Sequence, residues 1–292
     1  MVGSSIAFLC SANSLDDIVL LNRTKSKAIG ESLDISNAIP IDSNITVRGT
    51  DNYSEISDSE IIVVTASTGT YLTHRNEMIG SQVEMIKSIA RQIKKNCKSP
   101  IVLIISNPVD VLTYFFLKET QFPRNRVIGI ASSLDSSRFR YLLSKKIKVK
   151  QSQISNAYVI GEHGDSMVPV FSNTKINGKN TLDMINSKQK DEITHEIRDY
   201  WKSLRNFKSR SQFGIAKNVF DVLESIKYNK TLVSPTSVFL KGEYGQKDVC
   251  MGVLTKINSD GILEILDIKL DDFEQKLFEF SAQTIRNNIQ SI

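Results

Sequence analysis

The stretch IVLIISNPVDVLTYFFLKE (residues 101–119) decides the fold class of this chain. It begins with an uninterrupted apolar run over residues 101–105, whose length and branched side chains predict a buried strand. The residues that follow predict a helix over 109–119. A strand that leads directly into a helix is the repeating unit of proteins built on a parallel sheet.

The same alternation extends through the first half of the chain. Strands are predicted at 17–21, 45–48, 61–65, 101–105 and 127–130, and helices at 4–12, 26–37, 75–96 and 109–119. This order predicts a parallel sheet covered by helices on both faces. In the second half we predict a strand at 156–161, helices at 191–204, 213–228 and 270–288, and two strands at 231–240 and 249–257 joined by a glycine-containing hairpin.

Composition excludes several classes of protein. The 292 residues carry a net charge of +5, and the positive residues are scattered without interleaved aromatics, so no nucleic-acid partner is expected. No apolar run approaches the ~20 residues of a membrane span. Neither a metal-ligand cluster nor a C-x-x-C spacing is present, so we expect no metal. The three separated cysteines suggest a reducing cytoplasm; they are Cys10, Cys97 and Cys250.

Two segments carry residues suited to acid–base chemistry: GEHGDS (161–166) and LDSSR (134–138). His163 directly follows a strand-like run and is flanked by glycines that permit a sharp turn, which favours a strand end facing a cleft. Histidine can take a proton from an alcohol near neutral pH. Asp135 and Arg138 lie three residues apart on one helical face. A carboxylate can orient the imidazole, and a guanidinium can grip an anionic substrate. The alternative is a surface-loop histidine and an aspartate that caps a helix.

These segments, in this order, resemble those of the L-lactate/malate dehydrogenase family. The segments NPVD (107–110) and KGEYG (241–245) match the family as well. The resemblance covers nearly the whole chain and implies an α/β fold: a Rossmann-type parallel sheet in a dinucleotide-binding domain (1–130), then an α+β catalytic domain (131–292).

The resemblance also implies residue roles. His163 would be the acid/base, Asp135 its partner and Arg138 the clamp for the substrate carboxylate. Asn107 would contact substrate and cofactor. Arg75, in a loop that begins at Thr65, would polarise the substrate carbonyl, and the segment KSRS (208–211), which includes Ser211, would line the other side of the substrate.

The first residues depart from the pattern of a dinucleotide-binding domain. That pattern is an apolar strand, then G-x-G-x-x-G, then a helix. Here Gly3 leads straight into a helix-like segment and resembles the third glycine, while the strand and the first two glycines have no counterpart. We expect two strands to lack a shared ladder partner and cofactor binding to be poor. Two interpretations remain: Met1 is an internal methionine mistaken for the start, or the protein is shortened and inactive.

The residues after the second strand of that domain favour NADP, or use of both cofactors, over strict NAD. An acidic residue there repels a 2′-phosphate, but this chain has Asn22 and Arg23. The predicted cofactor-binding residues are Gly3, Asn22, Arg23, Thr65 and Asn107. The alternative is that Arg23 and its neighbours are solvated loop charges.

The substrate is expected to be a small 2-hydroxy or 2-keto acid, with malate and oxaloacetate favoured. The positions that separate malate from lactate enzymes correspond to Thr70 and Tyr71, and neither family signature is present. His74 or Arg210 could supply the missing positive charge. Alternatives are a lactate or other 2-hydroxy acid dehydrogenase, or a non-catalytic homologue. The resemblance further implies a homodimer or homotetramer.

Overall fold

The computed structural model describes residues 1–68 and 79–292 and shows a mixed α/β protein. The described helices are α1 (Val2–Ala12), α2 (Lys25–Ser36), α3 (Ile79–Asn96), α4 (Val109–Thr120), α5 (Ser132–Ile147), α6 (Ser187–Arg205), α7 (Phe213–Lys227) and α8 (Asp272–Gln290). The described strands are β1 (Ile18–Leu21), β2 (Val47–Thr50), β3 (Ile61–Val64), β4 (Ile101–Ile104), β5 (Val127–Gly129), β6 (Ile154–Ser155), β7 (Val159–Ile160), β8 (Val168–Pro169), β9 (Lys175–Ile176), β10 (Lys179–Asn180), β11 (Leu232–Lys241), β12 (Lys247–Asn258) and β13 (Gly261–Ile265).

The largest sheet has six strands in the order β13-β12-β11-β5-β4-β3. Strands β3, β4 and β5 are parallel, whereas β11, β12 and β13 pair antiparallel. The two groups meet where Ser237 of β11 lies opposite Gly129 of β5. The sheet therefore continues across residue 130, and residues from both halves of the chain share one core.

Strands β1 and β2 form a separate parallel pair. Within the described residues, β1 pairs only with β2, and β3 only with β4. Both β1 (IVLL) and β3 (IIVV) are wholly apolar, as is typical of strands inside a parallel sheet, yet most of their residues are only half-buried. Among the described residues, no strand joins the β1–β2 pair to β3.

Most predicted elements are confirmed, with shifts of a few residues at their ends. The strand predicted at 156–161 is shorter than expected, because Asn156 and Gly161 adopt φ angles of 55° and 84° and only Val159–Ile160 pairs with β8. The helix predicted at 75–96 is described from Ile79 onward, and its first four residues lie outside the described part of the chain.

The core packs on both faces of the six-stranded sheet. One cluster joins α3, α4 and α8 to the sheet, and another joins α1 and α7 to its opposite face. The three cysteines are free and buried. In the described ranges, no helix is long and apolar enough to cross a membrane.

Candidate active site

The loop that carries His163 begins at Gly161, which exchanges two backbone hydrogen bonds with Gly252 of β12, at 2.8 and 2.9 Å. Gly161 has a φ of 84°, which disfavours a side chain, and a Cβ there would lie 2.6 Å from Ser281 Oγ. At Gly252 a Cβ would lie 2.1 Å from Ser132 Oγ. The two glycines therefore allow β12, α5 and the loop to approach each other closely.

The next two backbone N–H groups of the loop are bound by other helices. Glu162 donates to Ser281 Oγ of α8 at 2.7 Å, and His163 donates to Asp110 Oδ2 of α4 at 2.8 Å. Three consecutive residues are thus anchored to three different elements, which fixes the backbone that presents the imidazole.

The imidazole of His163 is bound to Asp135, as the sequence predicts. Nδ1 lies 2.5 Å from Asp135 Oδ2, and the side chains are 8% and 1% exposed. An ionised carboxylate can only accept a hydrogen bond, so the shared proton belongs to Nδ1. In the neutral ring Nε2 is then the basic nitrogen, the one that can take up a proton.

Arg138 joins the same cluster from the next turn of α5. Its Nη1 donates to Asp135 Oδ1 at 3.0 Å, so one carboxylate serves both the imidazole and the guanidinium. The guanidinium also lies over the ring of Tyr200 in α6, 5.0 Å from its centre. Arg138 is only 7% exposed. This geometry favours a pre-oriented anion-binding group over a surface charge.

Helix α5 also positions the strand that leads to His163. Ser136, one residue after Asp135, accepts a hydrogen bond from the Val159 N–H at 2.8 Å and donates to Ser132 O. The helix that carries Asp135 and Arg138 is therefore bonded directly to β7. Asp135 lies in the first turn of α5 and Ala131 is the N-cap, so the alternative of Asp135 as a capping residue does not hold.

Asp110 is a site residue to which the sequence analysis assigned no role. It is 3% exposed, and its other oxygen, Oδ1, accepts from Ser237 Oγ at 2.6 Å. Burial raises the pKa of this carboxyl to about 7, against the lowering effect of its hydrogen bonds. The sequence offered one indication of its role, because Asp110 is a charged residue in the otherwise apolar first turn of α4, inside the NPVD segment.

Thr65 and Asn107 follow the parallel neighbours β3 and β4, so they lie at one edge of the sheet. Ser106 links the two ends by donating to Ala66 O at 2.6 Å. Asn107 is exposed and lies three residues before Asp110, which ties its segment to the His163 loop. Gly3 meets the same edge, because a Cβ on it would lie 2.8 Å from Thr65 Oγ1.

The remaining predicted residues lie around this centre. Asn22 and Arg23 are exposed directly after β1, and Asn22 Oδ1 accepts from the Thr24 N–H at 2.9 Å. Ser211 is half-buried in the connection between α6 and α7. Its neighbour Gln212 donates to Ser5 Oγ of α1 at 2.7 Å, which brings this connection to the N-terminal turns of that helix.

Several predicted residues lie outside the described part of the chain: Thr70, Tyr71, His74 and Arg75. In the described ranges no group of three or more histidine, cysteine or acidic side chains could hold a metal ion. The site described is thus a buried imidazole–carboxylate–guanidinium cluster next to the edge of a parallel sheet.

Known proteins are similar to this chain in both sequence and fold. Residues 1–129 match the family model of the lactate/malate dehydrogenase NAD-binding domain, and residues 132–292 match that of the α/β C-terminal domain. An L-lactate dehydrogenase of Lactococcus lactis is 31% identical over 300 residues, covering 100% of this chain and 95% of the relative. One of Mycoplasma mobile is 32% identical over 297 residues, covering 99% and 93%.

Two solved structures show the same similarity. The lactate dehydrogenase of Cryptosporidium parvum, complexed with lactic acid and nicotinamide adenine dinucleotide, has a TM-score of 0.95 at 32% identity and covers 99% of this chain and 94% of its own. The malate dehydrogenase of Aeropyrum pernix has a TM-score of 0.93 at 30% identity, with coverage of 100% and 95%. The family models match both halves of the sequence, and the described fold matches that of the solved structures. The chain therefore belongs to the lactate/malate dehydrogenase family.

Proposed function

We propose that this protein is an NAD(P)-dependent dehydrogenase that interconverts a 2-hydroxy acid and a 2-keto acid. The observation that carries the proposal is the contact of 2.5 Å between His163 Nδ1 and the buried Asp135. It makes Nε2 the basic nitrogen of a nearly buried imidazole, and Arg138 is bound to the same carboxylate. Membership in the family supports this reaction class.

In the oxidation direction, His163 Nε2 takes the hydroxyl proton of the substrate, and Asp135 stabilises the imidazolium that forms. In the reduction direction the imidazolium returns this proton to the carbonyl oxygen. A nicotinamide ring, held near Asn107 when bound, would supply the hydride chemistry at the substrate C2. Arg138 binds the C1 carboxylate, which orients C2. By family resemblance Arg75 stabilises charge on the reacting oxygen, and Asn107 and Ser211 contact the substrate.

The residues present fit part of a nicotinamide dinucleotide. Gly3 allows the close approach of α1 to Thr65 that such folds use, and the first N–H groups of a helix can bind phosphate. Asn107 lies at the same sheet edge, where the nicotinamide end would bind. We propose these three residues, with Asn22 and Arg23, as the cofactor site.

We propose that NADP serves as well as NAD, with NADP slightly favoured. Asn22 and Arg23 are exposed after β1, where a 2′-phosphate would meet no carboxylate from these two residues. Replacing Asn22 with aspartate should shift the ratio of kcat/KM for NADPH over NADH towards NADH by about tenfold, because it restores the repulsion.

For the substrate we propose malate and oxaloacetate. Arg210 lies in the segment that includes Ser211, and it could pair with a second carboxylate. A specific observation favours a second candidate, lactate and pyruvate, because several similar curated proteins are L-lactate dehydrogenases. If Arg210→Ala leaves the preference between oxaloacetate and pyruvate unchanged, Arg210 is not the specificity residue.

We further propose a division at residue 130, into a dinucleotide-binding part and a catalytic part, and a homodimer or homotetramer. Exposed apolar side chains on neighbouring helices support the oligomer: Phe8 on α1, and Ile29 and Leu33 on α2. A cytoplasmic location stays a prediction, supported by the three free, buried cysteines.

The test is oxidation of NADPH and of NADH by the purified chain, with oxaloacetate and with pyruvate. Activity that depends on the keto acid would support the reaction class and rank both cofactors and both substrates. A folded protein that binds neither cofactor in a calorimetric titration would contradict the proposal and support the non-catalytic homologue.

A further inference from the structure

Asp110 is a second buried carboxyl group that is hydrogen-bonded to His163, and it binds a different part of the residue from Asp135. Asp135 binds the ring nitrogen, whereas Asp110 Oδ2 binds the main-chain N–H of the same residue at 2.8 Å. Both oxygens of Asp110 are used, since Oδ1 accepts from Ser237 Oγ at 2.6 Å. His163 is therefore held at two ends by two carboxylates from different helices.

The burial of Asp110 is unfavourable for folding alone. Asp110 is only 3% exposed, and this burial raises the pKa of its carboxyl to about 7. The ionised form is therefore destabilised in the folded protein. Carboxyl groups with strongly perturbed pKa values cluster at functional sites, so Asp110 is a candidate for a role in the chemistry. The three successive N–H groups at residues 161–163 donate to Gly252 O, Ser281 Oγ and Asp110 Oδ2, respectively. Asp110 is thus the one carboxyl group among these three acceptors.

We propose that Asp110 is a positioning residue for His163, which fixes the main chain that bears the imidazole. The inference rests on the proposed function, because it assigns His163 the proton transfer. With the N–H and Nδ1 both anchored, the location and orientation of Nε2 are determined.

Other charged or titratable groups also lie in this region. They are Asp135 and Arg138 on α5, Glu162 in the loop, Cys250 on β12 and Lys118 on α4. Asp135 and Arg138 already form an ion pair of their own, and Cys250 is a buried thiol whose pKa is raised well above its usual value by burial. Among these groups, it is Asp110 that accepts the hydrogen bond from the His163 main-chain N–H.

The test compares Asp110→Ala with Asp110→Asn in the keto acid assay. Alanine removes both the acceptor and the charge, and asparagine keeps an acceptor oxygen for the His163 N–H. For Asp110→Ala we expect kcat to fall about 100-fold, as for a catalytic group displaced by about 1 Å, with KM for the keto acid within about threefold because Arg138 is untouched. Asp110→Asn should retain kcat within about tenfold.

Glu274→Ala is the matched control for a lost buried carboxylate. Glu274 is 1% exposed and likewise accepts from a main-chain N–H, that of Ser172 at 3.0 Å, and from a hydroxyl, Ser172 Oγ. It lies at the start of α8 and contacts no residue of the proposed site directly. We expect this variant to lose stability while kcat stays within about twofold. A kcat for Asp110→Ala that is equally unchanged overturns the proposal.

A second readout does not depend on activity. The chain has three histidines, so the main-chain amide signals of labelled histidine can be assigned through single substitutions. In Asp110→Ala the His163 amide hydrogen should exchange with solvent about tenfold faster than in the unaltered protein, because it has lost its acceptor, and the amide of His195 should not change. An unchanged exchange rate at His163 would overturn the positioning role of Asp110. If no keto acid is reduced but this exchange rate rises, the proposed function fails while the positioning inference stands.

Discussion

Replacing Asp110 with asparagine should stabilise the protein increasingly as the pH rises. Burial raises the pKa of this carboxyl from 3.8 to about 7, so between these values the folded state binds a proton more tightly than the unfolded state. The free energy of unfolding therefore falls as the pH rises through this window. Asparagine cannot ionise, and it removes this pH dependence while keeping nearly the same shape.

The magnitude follows from the two pKa values. The destabilisation by Asp110 is about 1.5 kcal/mol at about pH 5 and about 4 kcal/mol at about pH 8, from 1.36 kcal/mol per pKa unit. The stability of Asp110→Asn relative to the unaltered protein should thus grow by about 2.5 kcal/mol over that range. Titratable groups away from Asp110 contribute equally to both proteins, so their contributions cancel in the difference.

The assay is urea unfolding of both proteins at these two pH values. The absolute offset between the proteins depends on how well the amide replaces the two hydrogen bonds, but the change of that offset with pH depends only on ionisation. A difference that stays constant within about 0.5 kcal/mol would refute the reasoning, because Asp110 would then have the same proton affinity in the folded and unfolded states.

Three further outcomes are expected. Gly252→Ala should destabilise the folded protein by about 1–3 kcal/mol and lower kcat, since the new Cβ would lie 2.1 Å from Ser132 Oγ. Gly30→Ala is the control, because a Cβ there would meet nothing within 4 Å. Equal urea midpoints for the two variants would show that the Gly252 site tolerates a side chain. Tyr200→Leu should raise KM for the keto acid about fivefold with little change in kcat, because the ring lies over the guanidinium of Arg138; an unchanged KM in steady-state kinetics would separate Tyr200 from substrate binding. Asn22→Asp should move cofactor preference towards NADH, as measured by the ratio of kcat/KM values, and a fixed ratio would exclude Asn22 from cofactor selection.

Local sequence patterns were sufficient for much of the fold. Continuous apolar runs predicted β1, β3, β4 and β5, because strands covered on both faces need few polar residues. The i, i+3 spacing predicted that Asp135 and Arg138 share a helix face, and they form an ion pair at 3.0 Å. The pairing of His163 with Asp135 followed from the family resemblance of two segments.

Contacts made by the backbone were not predictable from residue types. The bond from the His163 N–H to Asp110 links residues 53 positions apart and depends on where α4 starts relative to the loop. The pair of backbone hydrogen bonds between Gly161 and Gly252 depends on the register of β12. A glycine in the sequence does not indicate which residue it will pair with. The continuation of the sheet from β5 to β11 rests on the pairing of Gly129 with Ser237, which local periodicity does not encode.

The most direct test of the central claim is the kcat of His163→Asn in the keto acid assay, beside His195→Asn. His163 has an 8% exposed side chain bound to Asp135, whereas the His195 side chain on α6 is 77% exposed. We expect His163→Asn to lose activity by about 1,000-fold, as for removal of a general acid–base group, and His195→Asn to match the unaltered protein. Activity of His163→Asn within about tenfold of the unaltered protein would show that His163 is not the acid–base group.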